Sequence, residues 1–330
     1  MRRLVLIAIL LPAIVFGGTG LLTAAPAVAQ LPPDDPARGL AYAGLRPADP
    51  NGPCRGHFEL ASSRAGRAGP PACSHGPDPA PPGVDVRQHR DPAEIAAETA
   101  AAPVTAAATA GIQCHPDFVG GPGTTGNRVQ AIYAHTGTSS LATLRPTFEQ
   151  AAATADFNFN ASAAETGGVR HLRFVTDASC NLVIADVQLS TAANPDMDTM
   201  IADLKAKGYS SPSRKYLVWM DATNYCGIGD LFIDESPSQL NENNGKFAQF
   251  ARVDTSCWNR AGQSVETHEL THTLGSVQPG APRSTANYHC TDESDRMCYD
   301  DHGNGQPAVT LTQTCPPFHE QRLDCRHDDY

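Results

Sequence analysis

Residues 265–278 read VETHELTHTLGSVQ. His268 and His272 stand four positions apart, so on a helix their imidazoles share one face, one turn above the other. In that arrangement two neutral imidazole nitrogens can reach one zinc ion at about 2.0–2.1 Å without straining the backbone. Glu269 follows His268 directly. Its carboxylate would project beside the metal and not onto it, which suits a general base acting on water. The flanks agree with a helix of this length. Ser264 can serve as N-cap, and Glu266 suits the positive end of the helix dipole. Gly275 can adopt the left-handed conformation that turns the chain out of the helix.

Two histidines do not complete a catalytic zinc site, which takes three protein ligands and keeps a fourth position open. Downstream, NYHCTDESDRMCYDD (287–301) supplies His289, Asp292, Glu293 and Asp295, followed by Met297 and Tyr299. With both segments in view, the chain resembles the metzincin zinc endopeptidases. Their pattern is His-Glu-x-x-His-x-x-Gly-x-x-His, or Asp in the last place, followed by a tight turn with a methionine beneath the metal. His268, Glu269, His272 and Gly275 match it, and Met297 resembles the turn methionine. Tyr299, two residues on, resembles the tyrosine of the astacin and serralysin branches, which contacts the metal or the oxyanion of the transition state. The departure is Gln278, which stands in the family's third-ligand place. A neutral amide is a poor zinc ligand beside imidazole or carboxylate. PGAPRSTANY (279–288) reads as an inserted loop. The third ligand is therefore expected beyond it: His289, which a disulfide at Cys290 could tether, or Asp292 as the alternative. The identifiable motifs cover about residues 264–301. The chain also resembles a group of secreted bacterial zincin-like proteins with similar HELTHTLG, HCTDESDRMCY and LDCRHDDY segments, a likeness that implies no particular substrate.

The resemblance implies a zinc-dependent endopeptidase. Glu269 would take a proton from water and pass it to the leaving amine, and Tyr299 would stabilise the oxyanion. A peptide or protein substrate would lie extended along an edge strand, expected in the 229–234 region. The rival expectation is a non-catalytic secreted or cell-surface binding protein that keeps the fold.

The chain opens MRRLVLIAILLPAIVFGGTGLLTAAPAVAQ. Two arginines, a short apolar run and Ala27-Val28-Ala29 read as a secretory signal peptide over residues 1–29. The expected location is extracellular. The formal charge is −11, and losing Arg2 and Arg3 makes it more negative. An acidic surface argues against nucleic acid as a partner. No later apolar run is long enough for membrane insertion. Ten cysteines in an oxidising compartment imply up to five disulfides, with Cys54–Cys73, Cys290–Cys298 and Cys315–Cys325 plausible as local pairs. The even count makes a free thiol that caps the metal the minority expectation.

Residues 30–111 hold about half of the 27 prolines and end in the low-complexity AAETAAAPVTAAATAG. They read as a Pro/Ala-rich pro-segment or linker, mostly disordered, whose His57, His75 and His89 are expected to be solvated. The globular part is expected over 112–330, with an upper lobe at 112–275 and an irregular, disulfide-rich lower lobe at 276–330. Strands are expected in 127–135, 169–177, 181–189, 215–222, 231–235 and 247–254. Helices are expected in the first half of 144–165 and at 196–208, where Met197, Met200, Ile201 and Leu204 form a core stripe. The expected fold class is α+β and zincin-like: a twisted mixed sheet, backing helices and an active-site helix. YDDHGNGQ (299–306) and DCRHDDY (324–330) are rich in oxygen donors and could take calcium, though neither matches an EF-hand loop.

Overall fold

The computed structural model describes residues 31–64, 69–103, 106–260, 262–301 and 308–327. The signal-peptide expectation lies outside the described residues, as do parts of both calcium-candidate segments. Among the described residues no helix is long and apolar enough to cross a membrane.

Leu31–Tyr330 form one compact unit. It opens with strands β1 (Arg46–Pro47) and β2 (Phe58–Leu60), helix α1 (Ala61–Arg64) and strand β3 (Ala72–Ser74). The strands make a small antiparallel sheet in the order β1-β2-β3. Helices α2 (Pro92–Ala101) and α3 (Ala106–Ala110) follow. The main sheet is built from β4 (Arg128–His135), β5 (Ile184–Gln188), β6 (Arg214–Met220), β7 (Gly227–Gly229) and β8 (Gln249–Asp254). Between them lie α4 (Leu141–Ala164) and α5 (Met197–Ala206), and α6 (Val265–Thr273) comes after β8. The strand order is β5-β4-β6-β8-β7. The first four run parallel and β7 closes one edge antiparallel to β8. The class is mixed α+β.

A parallel strand buried on both faces needs apolar residues at odd and even positions alike. β4 and β6 supply them. Ala131, Tyr133, Leu217 and Trp219 join one core with Phe148, Trp258, Val253 and Leu270. Ile132, Ala134, Tyr216 and Val218 join the other with Phe250, Met200, Ile201 and Leu204. Phe148 stacks on Trp219 with ring centroids 4.4 Å apart, which locks α4 to the sheet. On the opposite face α5 presents the expected Met/Ile/Leu stripe, and Asp196 caps it by accepting from the Thr199 amide at 2.5 Å.

Four expectations need correction. Residues 30–111 are not mostly disordered where the structure describes them. They carry β1–β3 and α1–α3, and the Cys54–Cys73 disulfide closes the small sheet. The segment has too few large apolar residues for a core of its own, but it adds them to the cores of the sheet. Leu40, Tyr42, Leu45, Phe58 and Leu60 enter one, and Val86 and Ile95 the other. The helix expected in the first half of 144–165 is α4, and it runs unbroken from Leu141 to Ala164. The polar residues of its second half are tied to neighbours. Asp156 accepts from the Leu172 amide at 2.6 Å, and Asn158 donates to Thr267 Oγ1 at 3.2 Å. Residues 169–177 form only isolated bridges at Phe174 and Thr176. The edge strand is β7, which meets the expected 229–234 edge only at Gly229, and the strand expected at 231–235 contributes a single bridge from Leu231 to Cys73.

All ten cysteines are paired, as Cys54–Cys73, Cys114–Cys180, Cys226–Cys257, Cys290–Cys298 and Cys315–Cys325. The three local pairs are those expected, and no thiol is left to cap a metal.

Candidate metal centre

α6 begins where its sequence says it should. Ser264 Oγ accepts from the Thr267 amide at 3.3 Å, and Gly275 takes φ +98° just past the end. Every residue of the helix is buried. Glu266 is occupied structurally: its Oε1 accepts from Trp219 Nε1 at 3.2 Å and from the Asn259 amide at 2.8 Å.

Three imidazoles converge, and each is held through Nδ1. That of His268 meets the Arg296 carbonyl at 2.7 Å, and that of His272 meets the Ser276 carbonyl at 2.8 Å. That of His289 meets Asp301 Oδ2 at 3.2 Å. A carbonyl or carboxylate only accepts, so each Nδ1 carries a proton, which makes Nε2 the atom a neutral ring would offer to a metal. These Nε2 atoms are crowded. His268 Nε2 lies 3.0 Å from His272 Nε2. Two rings that are neutral and protonated at Nδ1 have no proton to share across this gap. Burial and the surrounding histidines hold His272 well below the ordinary imidazole range. For ligands at zinc distances the edges of a tetrahedron are about 3.3 Å. Donors at this spacing could share a metal ion. Burial disfavours a charge on His289 too, but its hydrogen bonds to Asp301 and Asp78 outweigh this and lift it to about 9. A bound metal would replace that proton.

Two further donors come from the N-terminal segment. His75 Nε2 lies 3.1 Å from His272 Nε2. Asp78 spans the site, with Oδ2 3.1 Å from His268 Nε2 and Oδ1 3.3 Å from His289 Nε2. One ligand atom from each of His75, Asp78, His272 and His289 lies within 4.8 Å of the others, and the same holds for Asp78, His268 and Glu269. These groups could hold a metal ion. Two other clusters combine Cys315 and Cys325 with His319, or Cys290 and Cys298 with Asp295. Their sulfurs are already spent in disulfides.

Glu269 is fully buried, and neither carboxylate oxygen finds a hydrogen-bond donor among the described residues. Burial, and then the neighbouring Asp78, raise its pKa well above the usual carboxylate value. Orphaned acceptors of this kind mark a place for water or a ligand. Gly227 makes the room: a Cβ there would overlap the Glu269 carboxylate. Tyr299 donates its hydroxyl to Asp78 Oδ1, and its ring lies 4.1 Å from that of His289. Burial raises the phenol well above its ordinary value, so it remains a donor. A cavity of about 540 Å³ opens here, lined by Asp78, His268, Glu269, Arg296 and Tyr299.

The lower lobe frames the site. Met297 is buried with Val277, Cys290 and Leu323, and its carbonyl accepts from the Cys290 amide at 3.1 Å. Asp295 Oδ1 accepts from the Met297 amide at 2.8 Å and shapes that turn. The structure thus brings His268, Glu269, His272, His289 and Tyr299 together, with Met297 buried in the adjoining lobe. It does not bring Asp292, which is engaged by Arg283 at 3.1 Å and by Thr314 at 2.8 Å. Gln278 is structural, donating to the carbonyls of Phe232 and Gly275 at 3.0 and 2.9 Å.

Of the three upstream histidines, only His89 behaves as expected, as an exposed partner of Asp221 at 2.6 Å. His57 packs on Tyr288 with ring centroids 4.4 Å apart. His75 is buried in the site. Its local signal is slight: His and Asp three apart in CSHGPDP (73–79). The chain enters by pairing with the sheet edge. The Cys73 amide donates to the Leu231 carbonyl at 2.7 Å, the Leu231 amide to the Cys73 carbonyl at 2.9 Å, and the Asp78 amide to the Gly227 carbonyl at 3.0 Å. No family model, curated protein or solved structure matches this chain.

Proposed function

We propose that the chain is a secreted zinc-dependent endopeptidase of metzincin-like fold. One observation carries the reading. Three imidazoles, each held at Nδ1 by an accepting partner, converge beside a buried, unpartnered glutamate. The donor set is nitrogen-rich and buried, which suits zinc. His268, His272 and His289 would hold it. Zinc, when bound, supplies a Lewis acid toward a carbonyl oxygen and makes water more acidic. Glu269 accepts the proton of the attacking water and delivers it to the leaving nitrogen. Its raised affinity for a proton suits a group that must take one up and release it at the next step. The Tyr299 hydroxyl donates toward the developing oxyanion. β7 offers main-chain groups to an extended peptide. The five disulfides and the leader expected from the sequence fit export.

The test is Glu269→Gln. The variant should retain stoichiometric zinc by elemental analysis and lose peptide hydrolysis by about 10²-fold or more. Unchanged hydrolysis would overturn the mechanism. A second reading, a binding protein that keeps the fold without turnover, is favoured by one fact: residues 73–78 already occupy the edge where a substrate would pair. Stoichiometric zinc with no cleavage of a broad peptide library, even after those residues are displaced, would select it.

A further inference from the structure

We infer that His75 and Asp78 are themselves metal ligands, so that residues 73–78 hold the proposed zinc site closed against substrate. The inference rests on the zinc centre proposed above and adds to it two ligands and a mode of regulation.

Three observations carry it. The first is charge. Asp78 is buried, its two oxygens face imidazole nitrogens, and the groups around it are His75, His268, His289, Glu269 and Tyr299. A buried carboxylate needs a cation; no Lys or Arg is among these neighbours, and His289 is already shared with a second carboxylate, Asp301, at 3.2 Å. A metal held by the Nε2 atoms 3.1 and 3.3 Å from its two oxygens would supply one. The second is position. A catalytic site with three histidine ligands needs its remaining position for water or the substrate carbonyl. Asp78 stands there, and it also engages the Tyr299 hydroxyl that would otherwise serve the oxyanion. The third is backbone pairing. Residues 73–78 run antiparallel along residues 227–231 and use the main-chain groups of that edge. A peptide substrate must displace them to pair there.

The plug is not loosely attached. Cys73 is tied to Cys54, and Tyr42 and Phe58 pack beneath Gly76. Beyond it, Pro82 and Gly83 are exposed before the chain returns to the core at Val86. Opening therefore means shifting residues 74–82 while both flanks stay anchored.

Full-length protein, His75→Ala, Asp78→Ala and Asp78→Asn would be compared by zinc competition against a chromophoric chelator. Visible spectra would be taken after cobalt replacement. Asp78→Asn keeps the shape and an acceptor for Tyr299, so it serves if the alanine variant does not fold. The expected result is zinc binding weakened by roughly 10-fold or more in each variant. The cobalt bands should change with ligand number, and peptide hydrolysis should rise above that of the unaltered chain. Unchanged zinc affinity and an unchanged cobalt spectrum in both His75→Ala and Asp78→Asn would overturn the inference, while zinc retained on His268, His272 and His289 would leave the centre itself standing. Zinc that binds neither the unaltered chain nor any variant would overturn both.

Discussion

Glu266 and Glu269 lie three residues apart on one helix, both fully buried, in opposite circumstances. Glu266 is bonded through Oε1 to Trp219 and to the Asn259 amide and leaves only Oε2 without a donor, whereas Glu269 meets a donor at neither oxygen among the described residues. Removing a satisfied buried acceptor costs about 1–3 kcal/mol, and removing an unsatisfied one costs little or stabilises. Glu266→Ala should therefore lower the melting temperature of the metal-free protein, and Glu269→Gln should leave it unchanged or raise it. Thermal unfolding of the two variants side by side checks this. The same contrast separates His289 from Asp292. His289→Ala should abolish tight zinc binding. Asp292→Ala should destabilise the lower lobe, by unpairing Arg283 and Thr314, yet retain the metal. Zinc titration of both is the measurement.

β7 is three residues long, and two of them are glycine. Both glycines back onto α6: a Cβ at Gly227 would overlap the Glu269 carboxylate, and one at Gly229 would come 3.1 Å from the His272 Cβ. Strand and helix approach this closely because neither position has a side chain. Gly227→Ala should cost about 1–3 kcal/mol of stability through overpacking. It should also displace the Glu269 carboxylate, so hydrolysis should fall more than zinc affinity, as activity and metal titration on one preparation would show. Elsewhere the loop before β4 is clipped by Asp117, which accepts from the amides of Thr124 and Thr125 at 2.8 and 3.0 Å and from Arg128 at 2.9 Å. Burial works against its charge, but the hydrogen bonds from Thr124 and Thr125 outweigh it and hold the carboxyl well below its usual value. A depressed carboxyl contributes stability that is complete above its unfolded pKa of about 3.9 and is lost as pH falls through the lower folded value. Asp117→Asn should accordingly flatten the decline of stability below about pH 4, as acid unfolding curves would record.

At the scale of the whole molecule the candidate metal centre draws its donors from three regions distant in sequence: the N-terminal segment, α6 and the lower lobe. A cation bound there links all three, so chelation should lower the melting temperature of the intact chain. A ligand at 1,000 times its dissociation constant adds about 4 kcal/mol, and the effect should vanish in a His268→Ala/His272→Ala variant. Local pattern alone placed α5, α6, β4, β6 and β8. Their apolar spacing and caps are written within one or two turns of chain, and the structure has them where that spacing puts them. It also placed His268, Glu269 and His272 on one helical face, because 3.6 residues per turn is a property of the backbone. From the sequence, Gln278 was set aside on ligand chemistry and His289 preferred to Asp292. What was not legible is which loop carbonyls and side chains each would meet, because those partners come from elsewhere in the chain. His75 and Asp78 were hidden more deeply. They belong to a segment whose composition cannot build a core, and only the sheet edge at β7 and the two cores of the sheet give that segment a conformation. Short-range periodicity settles which helices and strands exist. Pairing across nearly two hundred residues is settled by burial and hydrogen bonding in the folded chain, because a local stretch carries no record of the surface it will meet.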